Sequence, residues 1–246
     1  LVSDPAVYVN DQSCMIMSKH VDDGIMIGST EAVEEYELKL REHFMLKSSE
    51  FMHIGDEHMY LGRAVRRVEG GFAIRCSDKL VESFLEDLEL VKCKSTPTPG
   101  LKVECRVPQE EALGPEDARK LRGAIGRLMY IAHERCDVQF AAKEIARGAA
   151  KLSTGDIVRI KRVGRYMAGT RQMENILAPD AKTNFDLVVC VDSNWATDKV
   201  DRRSTSCGHI FVNGALVTSY SRTQPVPALS SGEAELYALG TGTCEG

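Results

Sequence analysis

The chain has 246 residues, 43% of them hydrophobic and 27% charged, which excludes a disordered or collagen-like class and leaves a globular protein of one large domain or two small ones. No apolar run approaches the roughly 20 residues of a membrane span and the start carries no signal-peptide pattern, so an intracellular protein with no membrane partner is expected. A net charge of −5 argues against a uniformly basic nucleic-acid binder, although an average can hide a basic stripe, and eight cysteines without a C-x-x-C pair point to reduced thiols rather than zinc.

In chain order, Val7-Tyr8-Val9 reads as a strand already under way, with neither initiator Met nor cap before it, so a piece of a longer protein is expected. Asn10-Asp11-Gln12-Ser13 then turns into the stretch Cys14 to Ser29. Its apolar runs Met15-Ile16-Met17 and Ile25-Met26-Ile27 flank Asp22-Asp23-Gly24, and Asp-Gly between apolar runs signals a hairpin with a type I′ turn. Such a turn has no need of a second carboxylate, because adjacent anions at a tip repel. Two accounts stay open: a solvated turn with two exposed acids, or a tip whose charge is balanced by a divalent cation. Magnesium, which takes hard oxygen ligands, suits the second.

Ser29-Thr30 caps a helix to about Phe44, with Val33, Tyr36, Leu40 and Phe44 on one face and Glu31 and Glu34 favourably placed in the first turn. Met59 to Val65 reads as a strand that turns at Glu69-Gly70-Gly71 into Phe72-Ala73-Ile74-Arg75. Ser77 caps a helix whose inward residues are Leu80, Val81, Phe84, Leu85 and Leu88. The prolines of Thr96-Pro97-Thr98-Pro99-Gly100 exclude a helix interior and mark an extended linker, residues 96–114, as the main domain boundary.

A helical block follows. Gly114-Pro115 opens a helix with Leu121, Ile125, Leu128 and Ala132 on one side, and a second carries Val138, Ala141, Ala142, Ile145 and Ala149. Ser153-Thr154-Gly155-Asp156 is an acidic variant of the capping box and starts a third, with Ile157, Ile160, Val163 and Met167 inward. Its other side bears Arg159, Lys161, Arg162 and Arg165, either a solvated basic face or one that tracks phosphates.

From Phe185 the period becomes strand-like. Leu187-Val188-Val189-Cys190-Val191 suits a strand covered on both faces and ends at Asp192. Cys207 to Val212 turns at Asn213-Gly214, a second type I′ signal, into Leu216 to Ser221, and a helix begins near Ser230. Three strands and a helix are the opening order of the ribonuclease H fold.

These stretches resemble, in the same order, the Pol polyproteins of copia-type retrotransposons. His20-Val21-Asp22-Asp23 with Gly24-Ile25-Met26-Ile27-Gly28 resembles the catalytic palm hairpin of their reverse transcriptase, with His20 where the family has an aromatic residue. Met59 to Arg75 resembles the strand pair that grips the primer, and is equally compatible with a surface hairpin. Arg122 to Tyr130, Arg135-Cys136-Asp137-Val138 and Lys161-Arg162-Val163 through Gly169-Thr170 continue the likeness, with Cys136 in place of the family's Pro. Asp192-Ser193-Asn194-Trp195-Ala196, Asp201 to Ser206 and Ala228 to Glu235 resemble the ribonuclease H region.

The resemblance implies an α+β fold: a partial reverse-transcriptase palm and the start of the thumb in residues 1–95, a helical thumb or connection region in 115–172, and a truncated ribonuclease H-like sheet with one helix in 183–246. It implies an RNA-directed DNA polymerase with ribonuclease H activity, both by two-metal phosphoryl transfer with Mg2+, or Mn2+ in its place. The partners would be an RNA template, a DNA primer, the RNA·DNA hybrid and deoxynucleoside triphosphates, in cytoplasmic virus-like particles with entry to the nucleus. Asp22 and Asp23 would be the palm ligands, Asp192 and Glu235 those of the nuclease. Ser230 and Glu233 match a capping box, which gives Glu233 a structural task, while Glu235 fits the family's catalytic Glu by its distance from Ala238-Leu239. Each family site takes further carboxylates that this stretch does not contain, so the piece is expected to be inactive alone. The alternative is a non-catalytic retroelement remnant that at most binds nucleic acid through Arg159, Lys161, Arg162 and Arg165.

Overall fold

The computed structural model describes residues 4–100, 111–180, 184–198 and 201–246 and has a mixed α+β fold. It divides into two compact units, Leu1–His53 and Ile54–Gly246.

The first unit is an antiparallel sheet in the order β1 (Val7–Asn10), β2 (Met15–His20), β3 (Asp23–Ile27), followed by α1 (Thr30–Arg41). Asn10 Oδ1 accepts from the Gln12 and Ser13 amides and so forms the first turn, and the Ser29 hydroxyl caps α1 by accepting from Ala32 N at 3.2 Å. The helix stops at Arg41, short of the expected Phe44. Arg41 bonds Glu37 and also the Leu46 carbonyl and Ser48 hydroxyl, folding the chain back on itself. Of the expected apolar face only Val33 is buried, and Phe44 is 62% exposed. The sheet offers α1 little more than Met15 to pack against, so a helical period in the sequence exceeds the surface available to cover it.

The second unit is built on α2 (Asp78–Asp87), α3 (Pro115–Ala132), α4 (Cys136–Arg147) and α5 (Thr154–Gly169). Phe84, Leu85, Leu128, Ile131, Val138, Ile160, Val163 and Met167 are fully buried among them, each contributing about 1.5–3 kcal/mol of apolar burial. The caps follow the sequence. Ser77 accepts from Leu80 N, Pro115 stands at the first position of α3, and Ser153 and Asp156 form a reciprocal capping box.

Against this core lies a four-stranded antiparallel sheet in the order β4 (Glu57–Tyr60), β5 (Arg63–Val68), β6 (Gly71–Cys76), β7 (Asn175–Leu177). The stretch expected as one strand from Met59 to Val65 is broken by a two-residue turn in which Leu61 and Gly62 both have positive φ, 48° and 75°. Tyr130 donates its hydroxyl to the Leu61 carbonyl at 2.9 Å, so α3 holds this turn from outside. The short β7 had no signal in the sequence. It comes so near β6 that a side chain on Gly71 would collide with the Leu177 carbonyl.

The third sheet runs β10 (Ala215–Thr223), β9 (Thr205–Val212), β8 (Leu187–Asn194), with α6 (Ser231–Glu245) packed on β8 and β9. β8 was expected to be covered on both faces; among the described residues it is an edge strand with one face open, and Leu187 and Val188 are exposed. A polar stripe one helical turn apart on α4 fastens this sheet to the helices: Gln139 donates to Ser219 O, Lys143 to Thr205 Oγ1, and Arg147 pairs with the buried Asp198. Residues 101–110 of the expected linker lie outside the described residues. Before them, residues 94–100 run along α5, and after them Ala112 bridges to Ser153.

Candidate functional site

The β2–β3 hairpin pairs His20 with Asp23 and Lys19 with Gly24, so the turn is Val21-Asp22 rather than the expected Asp23-Gly24. Register decides this. Aligning the two apolar runs pairs Ile16 with Ile27 and Met17 with Met26, and the midpoint of that alignment falls between Val21 and Asp22. Cross-strand apolar pairing outweighs the turn preference of Asp-Gly.

The outcome is a tip in which Val21, a β-branched residue, has φ 56° and is 78% exposed. Left-handed backbone costs a non-glycine residue about 1–2 kcal/mol, and nothing packs on Val21 to offset it. Asp22 and Asp23 follow, both exposed, with Asp23 opposite His20. Neither carboxylate has a hydrogen-bond or ion-pair partner among the described residues.

Asp192 lies near the end of β8 and pairs with Cys207 on β9. The side chains of Val189 and Val191 meet α6 at Gly242, so pleat alternation turns Asp192, with Cys190 and Cys207, toward the other face. Glu235 is in the second turn of α6, beside its buried stripe of Ala234, Ala238 and Gly242. Gln224 positions this turn by donating to Ala234 O and Ser206 Oγ. Glu233 is engaged as the capping residue: the Ser230 hydroxyl accepts from its amide, while its carboxylate accepts from Leu229 N and the Tyr237 hydroxyl. The Glu235 carboxylate has no such partner among the described residues.

Asp192 thus lies on the face of the sheet away from α6, the helix that carries Glu235. Burial first, then the negative field of Asp192 and after it that of Glu235, push the Cys207 thiol above its ordinary pKa. No motif marks Cys207 in the sequence; its register opposite Asp192 is a tertiary fact. Among the described residues no three His, Cys, Asp or Glu side chains converge on a common point.

The basic side of α5 is largely engaged. Arg159 binds Asp156 at 2.7 Å. Arg162 donates to Gly100 O at 3.1 Å and to Thr98 Oγ1 at 2.7 Å, and Arg165 donates to Lys94 O at 2.9 Å. Lys161 has no hydrogen-bond or ion-pair partner among the described residues.

A further buried pair went unnoticed in the sequence. Arg135, 4% exposed, forks onto Asp137 at 2.8 and 2.7 Å and also donates to Thr170 O and Oγ1. Burial pushes the Asp137 carboxyl up, but the hydrogen bonds and charge of Arg135 outweigh it and hold the group below the usual carboxylate range. This pair lines a cavity of about 420 Å³ with Arg63, His133, Glu174 and Thr218.

No helix of the described residues is long and apolar enough to cross a membrane. No protein-family model and no solved structure matches the chain. It is 28% identical over 228 residues, 92% of its length, to an uncharacterized mitochondrial protein of Arabidopsis thaliana, of which it covers 90%. It is 25% identical to the retrovirus-related Pol polyprotein from transposon RE1 of Arabidopsis thaliana in an alignment that covers 99% of this chain and 16% of that protein. It is also 36% identical over 126 residues, 50% of its length, to the secreted RxLR effector protein 161 of Plasmopara viticola, of which it covers 85%. With matches of 25% and 27% identity to the Pol polyproteins of transposons RE2 and TNT 1-94, the chain is similar along nearly its whole length to a segment of retrotransposon Pol polyproteins.

Proposed function

We propose that the chain is the part of a retroelement RNA-directed DNA polymerase that carries the palm's paired acids at Asp22 and Asp23 and, at Asp192 and Glu235, the first acids of a ribonuclease H site. The observation that carries the reading is the β2–β3 tip. It keeps a left-handed valine and two adjacent, unpartnered carboxylates where the register left room for glycine or asparagine, and backbone strain retained at an exposed tip is a mark of functional sites. Two exposed carboxylates are a fitting donor set for magnesium, which commonly binds one or two acids and completes its shell with water and substrate phosphates. Bound there, the cation would stabilise charge on the transferring phosphoryl oxygens. The chain's own acids hold the tip's negative charge in the open, where an RNA template, a DNA primer and deoxynucleoside triphosphates can reach it. For Asp192 and Glu235 the support is the order of the elements that carry them, Asp192 near the end of β8 and Glu235 in the second turn of α6, as the resemblance implies.

The second reading, a non-catalytic remnant, is favoured by one observation: among the described residues neither acid pair has a third donor. Primer extension on an RNA template with magnesium separates the two. The chain set within a Pol polyprotein should extend the primer, and Asp22→Asn with Asp23→Asn should lower the rate on the order of 100- to 1,000-fold, as expected for losing several kcal/mol of charge stabilisation. Equal rates with and without the two acids would remove the polymerase reading. For the nuclease, Asp192→Asn should abolish RNA cleavage in an RNA·DNA hybrid.

A further inference from the structure

The segment from Lys94 to Gly100 runs along α5 as a strap without regular secondary structure, bent at Pro97 and Pro99. Among the described residues it makes no backbone-to-backbone hydrogen bond; Arg165 holds it at the Lys94 carbonyl and Arg162 at the Gly100 carbonyl and the Thr98 hydroxyl. Thr98 is exposed and precedes Pro99, and its hydroxyl donates weakly to Gly100 O at 3.3 Å. An exposed threonine followed by proline, in a segment free of helix and strand, is the substrate form that proline-directed protein kinases accept. Its hydroxyl already sits against a guanidinium, the group that best receives a phosphate.

We propose that Thr98 is a phosphorylation site and that its phosphate locks the strap onto α5 through Arg162. In the transfer the Thr98 oxygen attacks the γ-phosphorus of ATP, the bond to the β,γ-bridging oxygen breaks, ADP leaves, and the hydroxyl proton passes to the kinase's base. The bond from the Arg162 guanidinium to a neutral hydroxyl then becomes an ion pair with a phosphate that offers three acceptor oxygens. Thr96, also followed by proline, is half-buried and donates its hydroxyl to Thr98 O, and no basic side chain bonds it among the described residues. Phosphate there would have no receiving group. The proposal is independent of the polymerase reading, since it uses neither acid pair.

The test treats the whole chain with ATP and a proline-directed serine/threonine kinase, maps the label by mass spectrometry, and then follows tryptic cleavage after the exposed Lys94. Label on Thr98 should slow that cleavage about tenfold, and Arg162→Ala should erase the difference between labelled and unlabelled chain. Arg162→Lys, which keeps the charge without the fork, should retain part of it and guards against a folding defect in the alanine variant. No label on Thr98 when a control peptide is labelled, cleavage unaffected by the label, or slowing that persists in Arg162→Ala overturns the proposal.

Discussion

Of the hairpins that close with two-residue tips, those at Val21-Asp22 and Asn213-Gly214 use them most differently. At Asn213-Gly214 both residues take positive φ, 47° and 80°, as a type I′ turn requires. Asn213 is tied down on all sides: it exchanges backbone bonds with Asp186 and Asp180, and its side chain accepts from Asp186 N and donates to Asp180 O. At Val21-Asp22 the left-handed position falls to a β-branched residue and no described residue bonds the tip's side chains. One tip is made of residues that suit the turn and serves the fold. The other is made of residues that oppose it, and its two acids bond no described residue.

The same division runs through the acids, and breaking each kind should give effects of different size. The largest is expected at Asp137. Asp137→Asn leaves the buried Arg135 without its counter-charge and should cost about 3–5 kcal/mol in urea unfolding. Because the Asp137 carboxyl lies below its ordinary value in the folded state, its stabilisation is fully present above the unfolded carboxylate pKa of about 3.9. It is lost as pH falls below that toward the folded value, and the variant should lack this part of the acid transition.

Next in size, Asn213→Val with Gly214→Val would give the second tip the side-chain type of the first. It should destabilise the second unit by about 2–4 kcal/mol, from two left-handed residues and the lost Asn213 bonds. Val21→Gly should act in the opposite sense, stabilising the first unit by about 0.5–1 kcal/mol once glycine's own entropy is subtracted from the relieved strain. The smallest effect is expected from Asp22→Asn with Asp23→Asn, within about 0.5 kcal/mol by thermal unfolding, since no folded-state partner is lost. A large loss there would make these acids structural and erase the contrast between the tips.

The helices were legible because period and caps agree: Ser77, Pro115 and the Ser153–Asp156 box each stand where a helix begins. Asn213-Gly214 was legible because residue type and turn type coincide. The β4–β5 turn was not, because Leu61 looks like strand, and the turn is held from elsewhere in the chain by the Tyr130 hydroxyl, 69 positions away in sequence, and by the Ser77 amide. The true tip at Val21-Asp22 could have been found by centring the two apolar runs on each other instead of trusting Asp-Gly. The four basic residues of α5 were legible as a cluster, but sequence spacing does not say that Arg162 and Arg165 grip a strap and Arg159 an acid of its own helix. The i, i+4, i+8 run of Gln139, Lys143 and Arg147 lies along one side of α4, but spacing alone does not say that this side faces a sheet.

The most direct test of the account is whether a divalent cation finds the strained tip. Amide resonances of the chain, titrated with Mn2+ as a paramagnetic stand-in for magnesium, should broaden first at residues 20–24, while those at Asn213 and Gly214 stay sharp. Asp22→Asn with Asp23→Asn should remove the broadening, and added Mg2+ should compete it away. Broadening that begins elsewhere, or that survives the loss of both carboxylates, would contradict the claim that this tip exists to hold a cation.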